Sequence, residues 1–308
     1  MMKEQVEKLI QEQLIEWPLV SQNFAALGKV QSKDITVGHV EYRAQFNPAR
    51  IVSSAAKVDT KSIQERKCFL CAQNRPKEQK GVRYKQYEIL INPFPIFPRH
   101  LTIPDINHVD QKISNRIADM LDLARELDDY VIFYNGPKCG ASAPDHMHFQ
   151  AGNKGFMGIE TDVKSHTGQL IFKYKDASLH LLDDAPRNAL VFTSKNIPDL
   201  TNSFELLYKL LPIHAGEVEP MMNLLAWYDG LEWVLVVLLR SKHRPSCYFA
   251  EGEEKMTISP ASVDLGGVFI TPIESDFKRI DSRVIQDILS EVSMSKSEIL
   301  ELLSPLKQ

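Results

Sequence analysis

The chain of 308 residues lacks any apolar run long enough to span a membrane. Its first residues, MMKEQVEKLIQEQ, are too polar for a signal peptide. Both absences point to a cytoplasmic protein. Positive charge is not in excess: the formal net charge is -4. This argues against broad nonspecific nucleic-acid binding, which needs a basic face, whereas a nucleotide needs only a few local donors. Cysteine is scarce, with Cys68, Cys71, Cys139 and Cys247 alone. In a cytoplasmic chain of this size these do not make a disulfide framework. No polar low-complexity stretch separates the halves of the chain. Composition is otherwise that of a globular protein, 44% hydrophobic and 25% charged.

What is present starts at Tyr134–Gln150, YNGPKCGASAPDHMHFQ. The hydrophobic run 131–134 leads into a loop of small residues and turn formers, then into His146, Met147, His148, Phe149 and Gln150. On an extended strand side chains alternate between faces. His146, His148 and Gln150 then share a polar face, while Met147 and Phe149 point to a core. The competing reading is a half-buried edge strand whose histidines merely alternate. A neutral imidazole is a nucleophile at pH 7, and its attack on phosphorus gives a phosphoramidate that keeps transfer potential. Asn135, Gly136, Gly140, Ala141 and Ser142, with Lys138 beside them, suit phosphate oxygens; the alternative is an ordinary connecting loop.

Cys68 and Cys71 form a C-x-x-C, either a redox pair or half of a metal site. No thioredoxin-like βαβ pattern surrounds it. His100, His108 and His146 are available as further ligands, and Cys68, Cys71, His108 and His146 would close a tetrahedral set.

Along the chain, helical spacing of Val6, Leu9, Ile10 and Leu14 predicts an amphipathic helix over 3–17. Residues 23–29 read as a connection, 35–40 and 41–46 as strands, and 51–54 as a short extended piece. Residues 87–92 and 100–104 read as strands flanking the proline-rich crossing 93–98. Asp110 is a candidate cap for a helix carrying Ile113, Ile117, Leu121, Ala124 and Leu127 on one face. Further on, 169–174 and 189–194 are predicted strands and 204–211 a helix. Residues 223–228 and 232–239 form a hairpin around Asp229-Gly230, 267–271 a short strand, and 282–303 helix in two pieces. The order predicts an α+β fold of antiparallel sheets with packed helices. After a predicted strand, Arg240, Lys242 and His243 read as a solvated basic loop, with acceptor-phosphate binding as the alternative.

The stretch Asn135–Gln150 resembles the active-site segment of the histidine-triad transferase branch. That branch includes galactose-1-phosphate uridylyltransferase, diadenosine tetraphosphate phosphorylase and the GDP-hexose phosphorylases. Cys68-Phe69-Leu70-Cys71-Ala72, Phe46-Asn47-Pro48 and Ile103-Pro104-Asp105 with His108 resemble further uridylyltransferase segments. The distance from Asn135 to His146 fits that pattern without a gap. His146-Met147-His148-Phe149-Gln150 and the run Asn92–Pro104 look closer to the GDP-hexose phosphorylases. Where uridylyltransferases carry arginines after Tyr-Asn-Pro, this chain has Ala55, Ala56 and Lys57.

The resemblance implies two histidine-triad-like halves. Residues 1–180 would form the catalytic half with a zinc site, and 181–308 a half without catalytic histidines. It implies a structural zinc on Cys68, Cys71, His108 and His146. His148 would be the nucleophile, with Gln150 beside it and Asn135, Gly136, Gly140, Ala141, Ser142 and Gln150 around the phosphates. The implied activity is nucleotidyl transfer or phosphorolysis, of the EC 2.7.7 type, on a nucleoside diphosphate-sugar or dinucleotide through a nucleotidyl-histidine. Phosphate or a sugar phosphate would be the acceptor. A nucleotide hydrolase on the same scaffold, and a non-catalytic zinc-stabilised nucleotide-binding protein, are the alternatives.

Overall fold

Two sheets organise residues 1–55, 58–166, 168–184 and 187–307, the parts of the chain described in this computed structural model. The strands are β1 (Gln31–Val37), β2 (Val40–Phe46), β3 (Gly81–Tyr84), β4 (Tyr87–Ile91), β5 (His100–Pro104), β6 (Tyr130–Asn135), β7 (His148–Asn153), β8 (Gln169–Tyr174), β9 (Ala177–Asp184), β10 (Arg187–Ser194), β11 (Met222–Tyr228), β12 (Trp233–Leu239) and β13 (Val268–Thr271). The fold is α+β, with a large antiparallel sheet, a small mixed sheet and packed helices.

The large sheet runs β3-β4-β5-β7-β6-β11-β12-β10-β9-β8, every neighbouring pair antiparallel. Five of its strands lie within residues 81–153 and five within 169–239, and the β6–β11 pair joins the two sets, with Asn223 opposite Asn135 and Ala226 opposite Ile132, so the sheet divides before β8 rather than at residue 180. In the small sheet, β1-β2-β13, β13 from near the C-terminus lies parallel to β2. The two halves therefore share hydrogen-bonded sheet.

Period-two alternation sorts the strand residues into two cores. On β6, Tyr130, Ile132 and Tyr134 face one core, and Val131 and Phe133 the other. The first core is covered by helices Met2–Glu16, Ile117–Glu126, Ile197–Tyr208 and Lys296–Leu302. Helix Ile117–Glu126 seats Ile117, Met120, Leu121 and Ala124 there, the spacing of one helical face. Met147 and Phe149 are fully buried in the same core. Burying each stabilises the fold by roughly 1.5–3 kcal/mol and anchors the start of β7. His148 and Gln150 then face the opposite side.

Local readings differ from the structure in places. Residues 23–27, expected in a connection over 23–29, belong instead to helix Pro18–Leu27, whose proline occupies the first turn where its missing N–H costs nothing. Ile51–Ser54 is a helical turn rather than an extended piece. Asp110 does not cap this helix, which begins at Ile117 with Arg116 as its N-cap. The segment before it is held in irregular form because Gln111 turns inward and Ile113 N–H donates to Glu219 Oε2 at 2.8 Å.

Candidate functional site

Just before β7, His146 lies in the loop rather than on the strand, fully buried. Its Nε2 lies 2.7 Å from the Asp105 carbonyl oxygen. A carbonyl only accepts, so Nε2 carries the proton and Nδ1 has the lone pair. Nδ1 points at sulfur, 3.2 Å from Cys68 Sγ and 3.5 Å from Cys71 Sγ. Cys71 Sγ is also 3.2 Å from His108 Nδ1. The four ligand atoms all lie within 4.8 Å of one another. With metal–sulfur and metal–nitrogen bonds of about 2.3 and 2.0 Å, the S···N edge of a tetrahedral zinc site is about 3.5 Å. The spacing and the donor set fit such an ion, and the Asp105 carbonyl on the far nitrogen of His146 is the outer support a metal-ligating histidine needs.

Burial raises the Cys68 thiol, but hydrogen bonding to His146 and to the Leu70 and Cys71 amides outweighs it and brings it to about 6. Burial and the neighbouring Cys68 push Cys71 up to about 11. His100, the other available histidine, is not part of this cluster.

Two residues on, the His148 side chain turns to a cleft of about 850 Å³ that Asn135, Gly140, Ala141, Ser142 and Gln150 also line. His148 Nδ1 lies 2.8 Å from the His146 carbonyl oxygen, which makes Nδ1 the protonated nitrogen and leaves the lone pair on Nε2. Burial pushes its pKa down to about 4, so the ring is neutral at pH 7. Its backbone is clamped by the buried Gln111. The Gln111 Oε1 accepts from His148 N at 2.7 Å, and its Nε2 donates to the carbonyls of His148 at 3.1 Å and Asn135 at 2.9 Å.

Gln150 is oriented by a second buried chain. Ile96 N–H donates to His100 Nδ1 at 3.0 Å, so His100 Nε2 bears the proton and donates to Gln150 Oε1 at 3.1 Å. The Asn92 amide adds a donor to the same oxygen at 3.4 Å. With its oxygen engaged, the Gln150 amide turns its NH2 away from His100. Desolvation keeps His100 neutral, its pKa pushed down to about 3.

In the loop, Gly140 has φ +96, and a Cβ there would meet the Ala261 Cβ at 2.5 Å. Gly136 approaches the Met222 carbonyl so closely that a Cβ would sit 2.8 Å from it, but Gly136 does not line the cleft. Lys138 is exposed and lines a separate small cavity of about 100 Å³.

Residues 9–153 match a sequence family described as a domain of unknown function (DUF4922). No match is found among curated proteins. Among solved structures, yeast Ap4A phosphorylase Apa2 superposes with a TM-score of 0.60 at 15% identity, over 90% of this chain and 96% of that one. The same enzyme in complex with AMP and in complex with Ap4A also gives 0.60, each at 16% identity. The AMP complex covers 91% of this chain and the Ap4A complex 90%, each 96% of its own. A uridylyltransferase mutant gives 0.41 at 12% identity, over 73% of this chain and 92% of its own.

The fold is that of yeast Ap4A phosphorylase Apa2.

Within that fold the cleft holds residues that sequence reasoning did not single out. Arg50 stands in the wall, with its Nη1 donating to the Phe94 carbonyl at 2.7 Å. Burial lowers its pKa to about 10, so it remains charged at neutral pH. It follows Asn47-Pro48 by two residues, ahead of the positions 55–57 set against the uridylyltransferase arginines. Ala55, set against the uridylyltransferase arginines, is exposed, and Ala56 and Lys57 lie outside the described residues. Of the basic segment after β12, His243 and Arg244 line the cleft. Lys242 pairs outward with Glu291 at 2.8 Å. Arg240 is not a solvated residue: it is 3% exposed and its guanidinium is spent on internal acceptors.

Proposed function

We propose that the protein is a nucleotidyltransferase or phosphorylase working through a covalent nucleotidyl-His148 intermediate. The observation that carries this reading is His148 itself. It is a buried, neutral imidazole whose Nδ1–H is held by the His146 carbonyl and whose Nε2 lone pair is available beside Asn135 and Gln150. The donor is a nucleoside diphosphate-sugar or dinucleotide. His148 Nε2 attacks the α-phosphorus; the P–N bond forms as the P–O bond to the leaving phosphate breaks, and the leaving oxygen takes the electron pair. An oxygen of inorganic phosphate or a sugar phosphate then attacks the same phosphorus, forming a P–O bond and returning the pair to Nε2.

Gln150 and Asn135 donate to the phosphoryl oxygens, and the Gly140–Ala141–Ser142 turn lies against them, with Gly136 shaping the loop. Arg50 supplies fixed positive charge in the wall. Zinc on Cys68, Cys71, His108 and His146 is structural; bound there, it would pin His146 and so the carbonyl that sets the His148 tautomer. Residues 1–180 carry this chemistry, and 181–308 form a triad-like half that contributes wall and support. Similarity in fold to an Ap4A phosphorylase crystallised with AMP and with Ap4A supports a nucleotide as the ligand.

Intact-mass measurement after incubation with a panel of nucleotide donors tests the intermediate. One acid-labile nucleoside monophosphate adduct is expected on the wild type and none on His148→Ala. An adduct that persists in the variant moves the nucleophile elsewhere, and no adduct with any donor sinks the reading. Turnover independent of added phosphate or sugar phosphate would make the enzyme a hydrolase.

A further inference from the structure

The C-terminal half sends a buried polar chain to the cleft wall. Strand register sets Asn223 of β11 opposite Asn135 at the end of β6. Asn223 is fully buried. Its amide orientation follows from partners that have one role each. Arg240 Nη1 can only donate, and it contacts Asn223 Oδ1 at 2.7 Å. The Cys139 carbonyl can only accept, and it lies 2.7 Å from Asn223 Nδ2. The other proton of Nδ2 goes to Asn135 Oδ1 at 2.8 Å.

Asn135 is fixed the same way. The Ser262 backbone N–H, again only a donor, meets Asn135 Oδ1 at 2.8 Å. Ser262 Oγ lies 2.6 Å from that oxygen and 2.8 Å from the Tyr134 carbonyl, sharing one proton between them. Three donor groups therefore crowd one oxygen of Asn135, while no partner for its Nδ2 is found among the described residues. Arg240 anchors the chain: its five N–H groups find Asn223 Oδ1 and four backbone carbonyls.

We infer that Asn223 and Ser262, held by Arg240, are positioning residues that lock the Asn135 amide with its NH2 toward the cleft, so that this wall can only donate to an anionic ligand. The inference rests on the proposed nucleotide site and gives the half without catalytic histidines a defined part in it. The ligand class is a phosphoryl group, since an acceptor-rich ligand matches a wall that offers protons.

Asn223→Asp tests it with little change in shape. The carboxylate keeps its Arg240 partner but sets an acceptor against Asn135 Oδ1, so repulsion replaces one of the three donors and the amide is no longer locked with its NH2 toward the ligand. In the full chain with isotope-labelled asparagine, the Asn135 side-chain NH2 is assigned by its loss in Asn135→Asp. It is then followed during titration with each common nucleoside monophosphate and with pyrophosphate. One of these probes is expected to shift the NH2 signals. Losing a hydrogen bond to a charged group is worth about ten- to a hundredfold in affinity, so Asn223→Asp should weaken binding by that factor. Adding Asn223→Asp to Asn135→Ala should change nothing further. Ser262→Ala, which keeps the main-chain donor, should weaken binding less and replaces Asn223→Asp if that variant fails to fold.

Losses that add in the double variant, or an NH2 unmoved by every probe, overturn the inference. Binding with the NH2 response but no nucleotidyl adduct defeats the proposed activity and leaves the inference standing. An adduct with additive losses does the reverse.

Discussion

At the scale of single residues, the site is a set of tautomers and amide orientations. His146, His148 and His100 each have one ring nitrogen facing a group that can play a single role, a carbonyl oxygen or a backbone N–H. That settles which nitrogen is protonated without reference to pH. His100 is the clearest example of a residue whose type was legible and whose task was not. The sequence makes it a possible metal ligand, because any histidine near a C-x-x-C is one. Only the fold sets it against Ile96 and Gln150 instead. His100→Leu removes the proton that holds Gln150 Oε1. Adduct formation in single-turnover kinetics is expected to slow by about tenfold, the worth of one such hydrogen bond, with ground-state nucleotide affinity less affected. Unchanged kinetics would mean that Asn92 alone orients the glutamine.

At the scale of elements, β7 and the loop before it join the Cys/His cluster to the cleft. Met147 and Phe149 fix the strand to the helical core, and the residues between and after them inherit the opposite face. The cysteine loop reaches the same place from residues distant in sequence, and Arg66 pairs with Asp145 beside it. Four ligand atoms at this spacing, without an ion, press a thiolate against imidazoles, so metal binding should couple directly to the order of the loop. Metal analysis is expected to find about one zinc per chain. Cys68→Ser, or removal of zinc by a strong chelator, should lower the melting temperature by about 5–10 °C, as calorimetry would read it. Metal-free protein with unaltered melting would count against a structural ion. Alternation predicted the faces of this strand correctly. It placed His146 on the strand because sequence period cannot say where pairing starts: β7 begins at His148, the residue opposite Pro104.

At the scale of the whole molecule, the halves are bound by the β6–β11 pair, by β13 beside β2, and by Glu219. That carboxylate, 2% exposed, accepts from Tyr134 OH and from Ile113 N–H, both in the first half. Burial raises its pKa from 4.5 to about 7. A group whose pKa is higher folded than unfolded lends stability that is complete below the unfolded value and is lost as pH rises through the folded one. Glu219 should thus cost the wild type on the order of 2–3 kcal/mol between about pH 4.5 and 8. In Glu219→Gln that dependence should vanish. Denaturant unfolding at pH 5 and pH 8 checks it, and equal pH slopes in the two proteins would refute it.

The sequence alone was enough for the α+β class, for most strands, and for the set Cys68, Cys71, His108 and His146 as ligand types at workable spacings. Those follow from local physics: alternation, helical period, proline's missing donor, and the few side chains that bind metals or attack phosphorus. Tertiary structure decided the rest. Which amide turns its NH2 to the cleft, why Arg240 is spent internally while Arg50 and Arg244 reach the cleft wall, and how the second half touches Asn135 all depend on partners far apart in the chain. Register across β6 and β11 put them together, and no local pattern in the sequence encodes that pairing.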